Sequence, residues 1–117
     1  MSYVDGFLLA VPKDRIDDYK ALARRAGEVW KDLGALAYVE CTADDVPYGE
    51  LTSFPRAVQA KDDEIVIFAW IVYRSREERD AIDAKVMQDP RLKGDESNMP
   101  FDGKRMIYGG FEAFVQL

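Results

Sequence analysis

The sequence predicts a single α+β domain with the element order β-α-β-β-α-β over all 117 residues. Residues 65–73 form the longest apolar run. Like residues 7–11, they are apolar at both odd and even positions, which is typical of strands covered on both faces. Residues 14–33 and 75–87 instead carry apolar side chains every three or four positions, as amphipathic helices do. Gly, Pro and Asp residues separate these segments.

The first strand is predicted over residues 3–11, and Pro12 suits its exit from the sheet. A helix follows, with Asp14 as its N-cap and Gly34 as the C′ residue that ends it after Leu33. The apolar positions of this helix form one stripe that we predict to be buried: Ile16, Tyr19, Ala23, Ala26, Trp30 and Leu33.

The middle of the chain combines two predicted strands with a long connection. A second strand is predicted over residues 35–42, in which one parity is wholly apolar. Residues 43–61 form an irregular segment, because Asp, Gly and Pro residues interrupt it repeatedly. Loops of this length inside a compact domain are often functional or contact a partner. A polar turn then leads into the third strand, residues 65–73.

A second helix is predicted to begin at a capping box. Ser75 is its N-cap and Glu78 occupies the N3 position, which predicts a helix from this point to about Met87. The Asp89-Pro90 pair stops it. Residues 91–98 are polar, and we predict a loop or a single helical turn there.

The last strand is predicted over residues 104–115, after a tight turn at Asp102-Gly103. The Gly109-Gly110 pair predicts a bulge or bend within it. The complete order is the ferredoxin-like pattern. In that topology the first and third strands lie in the middle of the sheet, and these are the strands that are apolar at both parities.

Two helices cover only one face of a four-stranded sheet. The other face carries Val, Ile, Phe and Trp side chains of the central strands, an apolar patch too large for a monomer. We therefore predict a homodimer through this sheet face, which forms a dimeric α/β barrel. A lid formed by residues 43–61 of the same chain is the alternative.

The charge and the composition limit the partners. The net charge is −6, from 22 acidic and 16 basic residues, and no basic stripe is interleaved with aromatic residues. We therefore predict binding neither to nucleic acid nor to a membrane. The first residues show no basic segment typical of a signal peptide. The single cysteine, Cys41, fits a reducing compartment, so we expect a cytoplasmic protein.

The sequence contains no histidine, and this absence excludes more chemistry than any other feature. It removes Ser-His-Asp and Cys-His nucleophiles, histidine-ligated metals and histidine acid–base catalysis. One cysteine without histidine does not build an electron-transfer centre, and Asp44-Asp45 without further ligands does not predict a cation site. We therefore predict no cofactor and no metal.

Three stretches of the chain carry a family resemblance: Tyr3-Val-Asp-Gly-Phe7, Val39-Glu-Cys41 and Met99-Pro-Phe-Asp-Gly-Lys-Arg-Met-Ile-Tyr-Gly-Gly-Phe-Glu112. With them the sequence resembles the YbaA-like family, a bacterial domain-of-unknown-function family, over essentially its whole length. The resemblance implies the dimeric α/β-barrel superfamily, and it implies no established activity and no catalytic residues. That superfamily also contains cofactor-independent monooxygenases, isomerases, dehalogenase-like proteins and haem-degrading proteins, but fold alone does not fix function.

Two residues are candidates for catalysis. Glu40 is the candidate acid or base, because a carboxylate desolvated in an apolar cavity is tuned toward proton transfer. Its structural alternative is a glutamate that faces water or pairs with a Lys or Arg. Tyr108 is the candidate donor to a substrate oxygen, since a buried phenol needs a partner. Cys41 is predicted to be an inert small hydrophobe.

Three further residues are candidates for binding a substrate. Arg105 is the candidate anion anchor, with an inter-subunit salt bridge as its alternative. Asp5 lies beside Gly6, which permits close backbone approach, although it has a structural alternative as a bond to a neighbouring backbone group. Trp70 belongs to an aromatic set that lines either a pocket for a flat molecule or the core and dimer interface: Tyr38, Phe68, Trp70, Tyr108 and Phe111.

These residues support two hypotheses of function. The first is a homodimer that binds a small, anionic organic molecule between sheet and helices and carries out cofactor-independent acid–base or monooxygenase-like chemistry. It predicts a cavity with a desolvated carboxylate near an aromatic wall. The second is a non-catalytic structural or regulatory dimer, which predicts a filled interior with Glu40 and Arg105 paired to protein groups.

Overall fold

Four strands form one antiparallel sheet in the computed structural model, which describes residues 2–94 and 96–117. The strands are β1 (Tyr3–Pro12), β2 (Ala37–Thr42), β3 (Glu64–Tyr73) and β4 (Ile107–Glu112). Their order in the sheet is β2-β3-β1-β4, so the two strands that are apolar at both parities lie in the middle. The predicted ferredoxin-like α+β fold is confirmed.

The helices are α1 (Ile16–Asp32), α2 (Phe54–Ala57) and α3 (Arg76–Val86), and the connections contain short 3₁₀ turns at Lys13–Arg15, Pro90–Leu92, Glu96–Asn98 and Gly103–Arg105. The predicted cap of α3 is confirmed, because Ser75 Oγ accepts a hydrogen bond from the Glu78 N–H at 3.1 Å. No helix within the described ranges is both long and apolar enough to cross a lipid bilayer.

The start of α1 differs from the prediction. Asp14 lies inside the 3₁₀ turn that precedes the helix, and no side chain caps α1 at its N-cap residue, Arg15. The turn takes the chain from β1 into α1 and leaves Asp14 exposed, so its carboxylate serves no cap. The C-terminal end agrees with the prediction: Gly34 follows the helix with a φ of +120°, in the region that favours glycine.

The last strand is shorter than predicted, and it contains no bulge. Lys104 and Arg105 lie in a 3₁₀ turn whose Asp102 side chain accepts the Lys104 N–H, and β4 begins only at Ile107. The register with β1 runs without interruption through both glycines. The predicted bulge is therefore wrong. Glycine is needed at position 110 because a Cβ there would lie 2.7 Å from Cε2 of Tyr3.

The main core lies between the sheet and the two long helices. Odd-numbered residues of β1 and β3 face this side, and Tyr73 and Val29 are completely buried there. The predicted stripe of α1 omits Val29 and includes Trp30, which is only partly buried. The other core residues on this side come from β1, β3, the two long helices and the connection between α1 and β2: Leu9, Val11, Tyr19, Ala35, Ile67, Ile71, Ile82 and Val86.

The opposite face of the sheet is covered at one end only. Val58, from the middle segment, is buried against Leu8, Ala10 and Val66. The predicted lid of residues 43–61 is therefore present over that part of the sheet. Phe54 of α2 also packs edge-on against the Phe68 ring, with 5.8 Å between the centroids. Most of the remaining face is open, and apolar side chains there are exposed by amounts between 45% and 65% or half-buried: Phe68, Trp70, Ile107 and Phe111. We call these four residues the open patch.

Candidate functional site

A carboxylate held by two phenols lies between α1 and the edge strand β2. Glu40 faces the helix side of the sheet, and its two oxygens accept separate hydrogen bonds. The Tyr19 hydroxyl donates to Oε1 in a short contact, and the Tyr38 hydroxyl donates to Oε2 at 2.5 Å. We call these three residues the Tyr-Glu-Tyr cluster.

The strand and the helix bring these side chains together. Tyr38 and Glu40 are two residues apart on β2, so they share one face of the sheet, and Tyr19 reaches them from α1. The Tyr38 ring lies directly against Gly27 of α1, where a Cβ would come within 2.7 Å of Cδ1. Phe101 packs edge-on against the Tyr19 ring, with 5.7 Å between the centroids. The Tyr38 ring is therefore positioned by Gly27 and the Tyr19 ring by Phe101.

The cluster forms part of the wall of a cleft of about 640 Å³ between α1 and β2. A cleft of this volume is in the range of small-molecule sites. Its apolar walls come from Ala23, Gly27 and Ile67, and its rim carries charged and polar side chains: Lys20, Arg24, Glu28, Lys31, Asp32, Cys41 and Thr42. The site therefore combines an apolar interior with a single cluster of acid–base groups.

The two phenols are held in their protonated form. Burial raises the pKa of Tyr19 and Tyr38 well above the usual value of 10.0, and the hydrogen bonds to Glu40 and its negative charge raise it further. Both hydroxyls therefore remain hydrogen-bond donors at any physiological pH. Each oxygen of an ionised carboxylate has two acceptor positions, so Glu40 keeps one on each oxygen for a ligand.

Gly27→Ala tests how the cluster is positioned. Alanine in a helix interior is normally about 1 kcal/mol more favourable than glycine. Here the added methyl group collides with the Tyr38 ring, so we expect a net loss of about 1–2 kcal/mol in the free energy of unfolding. The measurement is urea unfolding followed by circular dichroism. In a Tyr38→Ala background the same substitution is expected to become stabilising. A stabilising Gly27→Ala in the wild-type background would contradict the described packing.

Asp5 lies away from the cleft, in a buried polar network. Its side chain is 8% exposed, and its two oxygens accept hydrogen bonds from Arg79 at 2.6 Å and from the Tyr73 hydroxyl at 3.1 Å. Tyr73 also accepts from Trp30 at 3.0 Å and lies 3.5 Å from a carboxylate oxygen of Asp83. Burial raises the pKa of Asp5, although the Arg79 charge opposes this effect.

Arg105 is also bonded within the protein. It makes two parallel hydrogen bonds to Glu64, at 2.8 and 2.6 Å, and the Glu64 side chain is only 4% exposed. It also donates to Asp102 and to the backbone oxygen of Gln59 in the middle segment. Arg105 thus ties the approach to β4 onto β3 and the middle segment, and its role as an anion anchor remains a prediction.

The other two candidates lie on opposite sides of the sheet. Trp70 belongs to the open patch, where its ring lies 5.6 Å from that of Phe68. Tyr108 is 73% exposed on the helix side of the edge strand β4, stacked against Phe7. The structure therefore does not bring Asp5, Trp70, Arg105 or Tyr108 together with Glu40, and their roles stay predictions.

Two features of the site were not identified as functional from the sequence. The sequence pattern places Tyr19 in the buried stripe of its helix and gives no functional signal for Gly27. The spacing of Tyr38 and Glu40 on one strand was the available signal. Cys41, predicted to be an inert small hydrophobe, is exposed near the end of β2. Among the residues that the structure describes, no group of three or more His, Cys, Asp or Glu side chains is arranged to hold a metal.

Comparison with known proteins gives the chain a family. Residues 2–103 match the family described as "Protein of unknown function (DUF1428)". The chain is 54% identical over 115 residues to "Uncharacterized protein YbaA" of Escherichia coli (strain K12), covering 98% of both chains, and the YbaA protein of Shigella flexneri gives the same values.

Solved structures show the fold. The chain is similar to SnoaB, a cofactor-independent oxygenase from Streptomyces nogalater, with a TM-score of 0.58 and 12% identity over 99% of this chain and 96% of that one. It is also similar to the de novo designed protein Foldit4, with a TM-score of 0.51 and 10% identity over 97% and 99% of the two chains. At such identities the likeness concerns the fold alone. The sequence match along almost the whole chain is what assigns membership: this protein belongs to the DUF1428 family, together with YbaA.

Proposed function

We propose that this protein is a homodimer that binds a small organic molecule in the cleft between α1 and β2, and that Glu40 transfers a proton to and from that molecule without a cofactor. The observation that carries the proposal is the Tyr-Glu-Tyr cluster on the wall of the cleft. A glutamate with one free acceptor position on each oxygen, reached through an apolar cleft, is suited to general acid–base work.

The proposed step is a proton transfer that needs no further reactant. A ligand with a weakly acidic C–H or O–H group gives its proton to an oxygen of Glu40, and the electron pair stays on the ligand as an enolate or an oxyanion. The phenols of Tyr19 and Tyr38 hold the carboxylate in place, so Glu40 does not need to reorganise during the transfer. The reverse transfer returns a proton to the ligand and regenerates the carboxylate.

The comparison with SnoaB is compatible with this chemistry. That protein is described as a cofactor-independent oxygenase and has the same fold. An oxygenase of this kind would begin with removal of a proton from its substrate, which is the step that we assign to Glu40. The fold does not determine the reaction, so the proposal depends on the residues in the cleft.

Exchange of ligand C–H protons with D₂O tests the step without knowledge of the product. Ketones and 2-oxo acids that contain one ring are incubated with the protein in D₂O, and the exchange of their C–H protons is followed by ¹H NMR. We expect wild-type protein to accelerate exchange of at least one compound, and Glu40→Gln to reduce the rate by about 100-fold or more. Asp45→Asn, which removes an exposed carboxylate outside the cleft, is the matched control. Equal rates for wild type and Glu40→Gln would remove Glu40 from the chemistry.

The second subunit is proposed from the open patch. Phe68, Ile107 and Phe111 are each exposed by more than 40%, and they lie on one face of the sheet beside Trp70. The middle segment covers the end of that face around Val58, and its Phe54 contacts Phe68 edge-on, so most of the open patch stays uncovered. An apolar surface of this kind on a soluble protein is typical of an interface, and a second copy of the same sheet would cover it.

A non-catalytic dimer is the second candidate function. The observation that favours it is that Glu40 and Arg105 are both bonded to protein groups, Glu40 to two phenols and Arg105 to Glu64. In this case the Tyr-Glu-Tyr cluster stabilises the contact between α1 and β2. The exchange experiment separates the two candidates, because a purely structural cluster accelerates no exchange in any compound.

A further inference from the structure

The charges around the cleft are unequally neutralised. On the α1 side, Arg24 pairs with Glu28 at 3.2 Å, so these two charges offset one another. Asp32 is paired outside the cleft with Arg91, at 2.6 Å. The ammonium group of Lys31 donates to the backbone oxygen of Leu36 at 2.9 Å. Arg24 and Asp32 are therefore each paired with an opposite charge, whereas Lys31 has a neutral backbone carbonyl as its partner and keeps its positive charge.

Lys20 is different. It lines the same cleft, next to Tyr19 in the chain, and it makes no hydrogen bond or ion pair with any residue in the described ranges. Its side chain is exposed at the rim, one helical turn before Arg24. Lys20 is thus a cleft cation without a partner among the described residues, and Glu40, on the same cleft wall, has acceptor positions left for a ligand. An apolar wall that includes Ala23 and Gly27 accompanies them.

We infer that the ligand of this cleft is an aromatic or similarly apolar organic acid that carries a hydroxyl group: its carboxylate contacts Lys20, its hydroxyl donates to Glu40, and its body lies on the apolar wall. The inference rests on the proposed function, because it uses the same cleft and the same glutamate. A neutral ligand leaves Lys20 without a partner, and a ligand without a donor group meets the negative charge of Glu40 with no hydrogen bond.

The net charge of the chain gives the inference more weight. With a charge of −6, the surface as a whole repels organic anions, so binding of an anion here depends on a local cation. Lys20 supplies a compact ammonium group on a flexible stem, which follows a carboxylate without a fixed geometry. Affinity for such a ligand is therefore expected to fall as the salt concentration rises.

A set of four probes separates the two contacts. The probes are 4-hydroxybenzoate, benzoate, 4-hydroxybenzamide and benzamide, which differ only in the carboxylate and the hydroxyl group. Binding is measured by isothermal titration calorimetry to wild-type protein, to Lys20→Met and to Glu40→Gln. Lys104→Met, an exposed lysine outside the cleft, is the matched control.

We expect 4-hydroxybenzoate to bind most tightly. Lys20→Met is expected to lower the affinity of both acids by about fivefold, which is the size of a solvent-exposed ion pair. The affinity of both amides is expected to stay unchanged. Glu40→Gln is expected to remove the advantage of the hydroxylated compounds over the others. Lys104→Met changes none of these affinities.

The two failures are distinguishable. If Lys20→Met lowers the affinity of acids and amides equally, or if the amides bind as tightly as the acids, the inferred contact between Lys20 and a carboxylate is wrong. The cleft is then still a binding site. If the hydroxyl group gives no advantage that depends on Glu40, the role of Glu40 in the proposed function fails as well. If none of the four probes binds at millimolar concentration, the inferred ligand class is overturned, and the D₂O exchange experiment alone decides the proposed function.

Discussion

Asp5→Ala is expected to lower the free energy of unfolding by about 3 kcal/mol, because it leaves the buried guanidinium of Arg79 and the hydroxyl of Tyr73 without the oxygens that accept their hydrogen bonds. The side chains of Asp5 and Arg79 are only 8% and 18% exposed, so water does not replace the lost interaction. Arg79 retains Asp80 at 2.8 Å, which places the loss at the lower end for buried ion pairs. Urea unfolding at neutral pH, followed by circular dichroism, measures the loss.

Asp83→Ala is the matched control. Asp83 belongs to the same network, but its carboxylate accepts from neutral donors, Trp30 and Tyr73, at 3.3 and 3.5 Å. In Asp83→Ala the Trp30 N–H keeps the Tyr73 hydroxyl oxygen as an acceptor at 3.0 Å, and no arginine loses an ion pair. We expect a change within about 1 kcal/mol. Equal losses for the two variants would show that the Asp5–Arg79 pair contributes no more to the free energy of unfolding than the hydrogen bonds of Asp83.

The same network predicts the pH dependence of stability. Burial raises the pKa of both Asp5 and Asp83 above 3.8, so the folded state binds protons that the unfolded state has released. Their contribution to stability is complete below pH 3.8 and is lost as the pH rises through the folded pKa values. Glu64 acts in the opposite direction: the hydrogen bond from Arg105 holds its pKa below 4.5, so its contribution is lost as the pH falls through that lowered value.

We therefore expect the free energy of unfolding to be greatest at mildly acidic pH and to decline toward neutral pH. Asp83→Asn removes one of the two raised groups and should flatten this decline. Urea unfolding between pH 4 and 8 measures both curves. A wild-type stability that rises steadily from pH 4 to 8 would contradict the assigned direction of the shifts.

Trp70→Asp is expected to convert a homodimer into a monomer. Trp70 and Phe68 lie on the central strand β3 within the open patch, and a buried charge without a partner in an apolar interface is strongly unfavourable. We expect the dimer dissociation constant to rise by about thirtyfold or more, which corresponds to about 2 kcal/mol. Sedimentation equilibrium at micromolar concentration measures the mass of each variant.

Tyr108→Asp is the control for the interface. Tyr108 is 73% exposed, but it lies on the helix side of the sheet, so the same change of charge there should leave the dimer intact. A wild-type protein that sediments as a soluble monomer would contradict the proposed interface. In that case the open patch must be covered by something other than a second copy of this chain.

The sequence predicted the sheet better than the site. β1 and β3 are central because their side chains are apolar at both parities, and this local pattern needs no knowledge of distant residues. The close approach of the Tyr3 ring to Gly110 joins residues more than a hundred positions apart, and the glycine pair by itself does not predict it. The pairing of Arg105 with Glu64 joins residues 41 positions apart, and no local pattern encodes it.

The candidate site also combines a residue that a local pattern predicts with contacts that depend on residues distant in the chain. Glu40 was a candidate because apolar neighbours flank it on a strand. Its two phenol partners depend on how α1 lies across β2, and the absent side chain of Gly27 sets that approach. The position of Tyr19 in the apolar stripe of a helix predicts a packing role. Only the structure shows that its hydroxyl donates to the carboxylate of Glu40.

The most direct measurement is a map of where an organic acid binds. Backbone amide chemical shifts of the wild-type protein are followed as 4-hydroxybenzoate is added, and a crystal structure of the complex then fixes its orientation. We expect the shifts to concentrate in α1 between Tyr19 and Lys31 and in β2 between Tyr38 and Thr42, with the ligand against Glu40. Shifts confined to the open patch around Phe68, or a ligand bound away from the Tyr-Glu-Tyr cluster, would contradict it.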